Sequence, residues 1–288
     1  MNKICFEINP DINYLYHMLS VARCGYDNDY GKRYRHLYPP EELAVFADNR
    51  ELLTIQGGAH WGKLYSLLIF YPAGYAASLP DYYGSLLEIC ECIRAGAIPE
   101  DIDRSLVPYT DLIAQLSEIL LKHRDAYLRD IFPVEREKMA AAIVPVRRWF
   151  ESSGFTARAE ALVGCPLEAE AFTASMVSSV AGGPEAIDLT AEKDVFGIER
   201  STMDAVYFIG HEFIIYLLKN ALREEDAFRS YATWPLTEAL AEYYLKRIMG
   251  DTRFFDGQRQ WRMFYEQQDQ ALTAVQLYRL ALQEQIRS

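Results

Sequence analysis

The chain of 288 residues has no paired CxxC spacing among its five cysteines, Cys5, Cys24, Cys90, Cys92 and Cys165. So odd and scattered a set excludes a disulfide framework and a cysteine-rich zinc finger. Cys90 and Cys92 stand two apart on a predicted helix, so their side chains diverge around its axis and are expected to fill core rather than share a metal. No uninterrupted apolar run is long enough to span a bilayer. The opening Met1-Asn2-Lys3-Ile4-Cys5-Phe6-Glu7 lacks the basic, apolar and small-residue regions of a signal peptide, so a cytoplasmic protein is expected. Positive charge is in deficit: 41 acidic against 29 basic residues leave a net charge of -12. Such a surface repels a nucleic-acid backbone and an anionic membrane, and neither is expected as a partner. Repeats and low-complexity stretches are missing too, which removes solenoid and linker readings.

What remains is the composition of an ordinary folded protein, half hydrophobic and about a quarter charged. Apolar and polar residues alternate from Lys3 to Ile8 in the strand period, and Pro10-Asp11 open a helix that runs to about Ala22. Residues 25–40 are rich in Tyr, Asp, Gly and Pro and read as an irregular connection, followed by a helix near Glu41 to Asn49. The basic groups Lys32-Arg33-Tyr34-Arg35 and Arg147-Arg148 sit among acidic or apolar neighbours and read as solvated faces without a function. Helices dominate to residue 150, among them an amphipathic one from Val107 to Phe132 and another from Glu135 to Phe150. The texture then changes. Ala171 to Val180 and Ile187 to Phe196 look extended, with a Gly182-Gly183-Pro184 turn between them, and a strongly apolar helix follows from Met203 to Leu222. The expected organisation is a mostly helical region over 1–150 and an α+β region over 151–288, as two domains or one continuous core.

The apolar helix carries the chemistry. It reads Gly210-His211-Glu212-Phe213-Ile214-Ile215, and its near-uniform apolarity predicts burial. An unpaired polar group placed there costs about 1–3 kcal/mol, and an unpaired charge more, so His211 and Glu212 need partners. Downstream, Trp234-Pro235-Leu236-Thr237-Glu238-Ala239-Leu240-Ala241-Glu242-Tyr243-Tyr244 forms a second helix, with Glu238 placed 27 residues after His211 and Glu242 one turn further on the same face.

In type and order these two segments resemble the metal helices of gluzincins, the thermolysin-like and aminopeptidase-like zinc metallopeptidases. There, H-E-x-x-H supplies two histidine ligands and a general base, and a segment of W-x-x-E-G-x-A-x-Y character supplies a glutamate ligand. The resemblance covers roughly residues 165–250. It implies a mainly helical α+β, zincin-like fold with a small sheet and two core helices, and an edge strand within 171–198 for extended peptide. It implies His211 and Glu238 as zinc ligands, Glu212 as general base and Glu242 as the acid that orients a ligand histidine. Two positions depart from the pattern: Ile215 replaces the second histidine and Ala239 stands where many relatives have glycine. Zinc is therefore expected to bind weakly or not at all, and the leading expectation is a proteolytically inactive, degenerate member that keeps a cleft for a peptide or protein. An active zinc hydrolase with a third ligand from outside the helix, His60 foremost, is one alternative. A helical interaction protein without a functional cleft is the other. Tyr231, Tyr243 and Tyr244 are near enough in sequence to assist electrophilically, with none preferred, and the oligomeric state stays open.

Overall fold

Capping residues decide where the helices begin. Asn9 precedes Pro10, and its side-chain oxygen accepts from the backbone nitrogens of Asp11 and Ile12, which fixes the first turn of a helix whose φ the proline already favours. In the computed structural model, described for residues 2–56, 60–100, 102–181, 186–190, 192–198, 201–229, 231–250 and 259–287 without the side chains of Gln56, His60, Arg229 and Tyr231, helix accounts for 69% and one small mixed sheet has four strands. The mainly helical α+β class expected from the sequence is therefore present.

The elements run β1 (Ile4–Glu7), α1 (Pro10–Val21), α2 (Asp29–Tyr34), α3 (Pro40–Asp48), α4 (Arg50–Leu53), β2 (Ile55–Gln56) and β3 (His60–Trp61). A π-helical turn at Ser66–Phe70 leads into α5 (Tyr71–Tyr75), α6 (Leu79–Arg94), α7 (Thr110–Asp130), α8 (Phe132–Ser153) and α9 (Phe155–Val163). Strands β4 (Phe172–Val177), β5 (Ala186–Thr190) and β6 (Lys193–Gly197) follow, then α10 (Thr202–Ala221), α11 (Trp234–Met249), α12 (Arg259–Glu266) and α13 (Ala274–Arg287). The larger sheet has the order β1-β4-β6-β5, and β2-β3 make a separate pair. β5 and β6 are antiparallel, with Asp188 opposite Asp194. No described helix is long and apolar enough to cross a membrane.

The contacts divide the chain into two compact units, and not by a single cut near residue 150. One unit comprises Met1–Phe6, Ile143–Ala174 and Arg200–Ser288; the other comprises Glu7–Ala142 and Ser175–Glu199. Strands β5 and β6 thus group with the N-terminal helices. In that second unit α1 is buried along nearly its whole length, and Asn13, His17 and Ser20 on it are hydrogen-bonded, although Asn13 Oδ1 has no partner. Asn13 donates to the Met176 carbonyl at 3.0 Å, and His17 lies between the Tyr30 and Tyr38 hydroxyls at 2.8 and 2.7 Å. The stretch read as irregular contains α2, because Asn28 Oδ1 accepts from Gly31 N at 2.7 Å and caps it. Gly31 has to be glycine: an added Cβ would stand 2.5 Å from the Ser20 carbonyl oxygen. Cys90 fills core as expected, but Cys92 is exposed, since a residue two further along a helix turns to another face.

In the first unit the core is an aromatic cluster. Phe155 lies 5.4 Å from Phe150 and 6.1 Å from Phe213 between ring centroids, and Phe213 lies 5.9 Å from Phe172. Helix α9 brings Phe155 there between two left-handed glycines, Gly154 at φ +64 and Gly164 at φ +75.

Candidate functional site

The site candidates lie in the first unit, on α10 and α11. Ser201 caps α10 by accepting from Asp204 N at 3.2 Å, and Asp204 itself sits in the first turn, where a carboxylate favours the helix dipole. Beyond that polar start the helix is buried on most sides, as its composition requires. Gly210 lets α9 come close: a Cβ at that position would meet Phe155 Cζ at 2.9 Å and Leu245 Cδ1 at 3.3 Å. The residue after this contact is His211, 1% exposed.

Pro235 stands in the first turn of α11, where its missing N–H is no loss, and Gly250 at φ +83 ends the helix. Glu238 lies one turn in. His211 Nε2 and Glu238 Oε2 are 3.0 Å apart, a direct hydrogen-bonded ion pair that joins the two helices. Ile215, in the place of the second gluzincin histidine, is buried core.

Burial alone would hold His211 neutral. It is outweighed by the hydrogen bond and charge of Glu238, with further contributions from Glu212 and Glu242, and the imidazole is pushed up to about 9. His211 is therefore an imidazolium at neutral pH, donating to a carboxylate. Glu212 is half-buried and acts on His211 through its charge. Glu242 is buried as well, which raises it to about 7 although the charges of His211 and Arg262 pull the other way. Its hydrogen-bonding partner is Arg262 of α12, at 3.4 Å from Oε2, so its link to His211 is electrostatic.

The other candidates fall elsewhere. The His60 side chain and the Tyr231 side chain lie outside the described residues. Tyr243 accepts from Arg247 Nη1 at 3.3 Å, and Tyr244 is fully buried, its phenol raised by burial. His17 is enclosed by tyrosines, His123 pairs with Glu42 and His36 is exposed. Two groups escaped the sequence reading. Arg262, the partner of Glu242, lies on a separate helix with no motif to mark it. Asp188 and Asp194 face each other across β5 and β6 in the other unit with carboxylate oxygens within 4.8 Å, close enough to share a cation. The alternation of β5 puts Asp188 out and its neighbours in, but only the register reveals its partner.

The zinc site of a gluzincin needs three protein donors and one open position. His211 and Glu238 supply two. Tetrahedral bonds of about 2.0–2.2 Å hold neighbouring donor atoms roughly 3.3–3.5 Å apart, whereas here the two atoms are at hydrogen-bonding distance. Among the described residues no third His, Cys, Asp or Glu donor joins this pair within 4.8 Å. Among the described residues, then, His211 and Glu238 are two donors of a three-donor set. No known family, curated protein or solved structure matches the chain.

Proposed function

We propose that this protein is a degenerate gluzincin-like domain that does not hydrolyse peptides and acts by binding a peptide or protein. The observation that carries the reading is the direct His211–Glu238 pair, 3.0 Å apart, beside a buried Ile215. In an active relative the same two positions would each face a metal; here they face one another, and a proton occupies the place of the ion. The pair then serves as a polar strut between α10 and α11. Glu212 keeps the sequence position of a general base, next to His211 on α10. Support for an ancestral metal site comes from the order of parts: a glycine-histidine-glutamate helix, then a tryptophan-proline helix with a glutamate one turn in. A third donor restores the full set.

Comparison of Ile215→His with Ile215→Ala tests this directly. Calorimetric titration with zinc should show affinity rising at least about 100-fold in the histidine variant, because three ligands then converge and leave one position for water. The alanine variant opens space without a ligand and should bind no better than the original. Equal, negligible zinc binding by both folded variants would mean that His211 and Glu238 do not have metal-site geometry, and the gluzincin reading would fall.

A further inference from the structure

In the unit formed by Glu7–Ala142 and Ser175–Glu199, a cleft of about 460 Å3 opens where α1 ends beside α3. Val21, Leu43 and Ala44 give it an apolar part, and Arg23, Arg35 and His36 line it as well. No acidic side chain is among the described residues that line it. In a chain with a net charge of -12 such a local excess of cationic groups is against the general trend.

Three features of the arginines point to a missing partner. Arg35 donates through Nε to the Val21 carbonyl at 2.7 Å, which fixes the plane of its guanidinium. Its Nη2 is buried and has no hydrogen-bonding partner, an uncommon state for a charged donor. Arg23 is the third feature. It occupies φ +60, and no other described residue except glycine has a positive φ. The position is the left-handed one in a Schellman end to α1: Arg23 N donates to Ser20 O at 3.1 Å and Cys24 N to Leu19 O at 2.8 Å. Glycine is the usual residue there because a Cβ is strained in that region. The chain places an arginine where glycine would be more stable, and its side chain lines the same cleft as Arg35.

We propose that this cleft binds a small oxyanion, a carboxylate or a phosphate, carried on an apolar body and gripped by Arg23 and Arg35. Planar guanidinium forks match both oxyanions, and Arg35 is already oriented by its bond to the backbone. The apolar part takes the body of the ligand. Burial and the charge of Arg23 both lower the pKa of Arg35, and an anion between them relieves that repulsion. Asp27 offsets part of this repulsion, since its charge raises the pKa of Arg35, but it lies 3.7 Å from Arg23 Nε with both side chains mostly exposed, so the screening is weak. The basic run around Arg35 thus contributes to a site as well as to a solvated face.

Titration calorimetry of the full chain with hexanoate, with its neutral counterpart hexanamide and with inorganic phosphate tests the proposal. Hexanoate should bind and hexanamide should not. Hexanoate tighter than phosphate identifies a carboxylate ligand, and the reverse identifies a phosphorylated one. Arg23→Gly should weaken anion binding at least about tenfold while leaving the melting temperature unchanged or higher, since +60 suits glycine. Arg35→Lys keeps the charge, loses the fork, and should weaken binding as well. Lack of binding by both anions at millimolar concentration would overturn the proposal, as would equal affinity in Arg23→Gly.

Discussion

At the scale of single residues, the pair His211–Glu238 is a charge buried with its counter-charge, and such pairs are costly to break and cheap to replace. Glu238→Gln should lower unfolding free energy by roughly 2–3 kcal/mol at pH 7, measured by urea denaturation. Replacing both partners with leucine should cost less than the sum of the two single changes. The pH dependence has a definite sign. His211 rises to about 9 in the folded protein, above its unfolded value near 6.5, so the stabilisation is complete below 6.5 and is lost as pH rises through 9. Glu242, at about 7 when folded, is raised too, so stability declines through it as pH rises from about 4.5 to 7 and stays lower above that. Through these two groups the denaturation midpoint should therefore fall as pH rises from about 4.5 to 9, and Glu238→Gln should flatten the part of that fall between about 6.5 and 9. His17 acts oppositely. Burial pulls it down to about 3, so its unfolded form takes up a proton first and stability declines as pH falls from 6.5 toward 3. The need of His211 for a polar partner was legible because it sits on an otherwise apolar helix, whereas Glu238 was singled out by the resemblance of its segment to a metal helix. Arg262 was not, since an arginine near a helix start has no property that names a buried glutamate 20 residues earlier as its partner.

At the scale of elements, α10 is held against α9 by the absence of one methyl group. Gly210→Ala gains about 1 kcal/mol of helix propensity but drives a Cβ to 2.9 Å from Cζ of Phe155, a fully buried ring packed against Phe150 and Phe213. Overpacking of this kind costs about 1–3 kcal/mol, so the variant should melt lower, and Phe155→Leu added to it should recover part of the loss. An increase in melting temperature would show that the ring can yield. The helices themselves were readable: α10 spans Thr202–Ala221 against a predicted Met203 to Leu222, because a capping serine and an apolar run mark it from both sides. Helix α2 was missed because Tyr, Asp and Gly in that stretch argue for a loop. Its glycine is instead a packing device, and Asn28 supplies the cap. The grouping of β5 and β6 with the N-terminal helices was equally hidden, since a boundary read along the chain cannot divide it into interleaved pieces.

At the scale of the whole molecule, function turns on whether a metal is present. The acidic composition and five scattered cysteines do not decide that point. The site does bear on it. Zinc would have to displace the proton of an imidazolium whose pKa is about 9, a competition of about 100-fold at pH 7, and among the described residues it would then find two protein ligands in place of three. Peptide hydrolysis should accordingly be no faster than in Glu212→Gln, measured on unstructured peptides with added zinc. The most direct test is the zinc content of the wild-type chain, purified without chelator or metal-affinity tag and dialysed before elemental analysis. The expected result is well below one zinc per chain. Near-stoichiometric zinc that survives dialysis would contradict the direct His211–Glu238 strut and make this protein a metalloenzyme with a ligand from elsewhere.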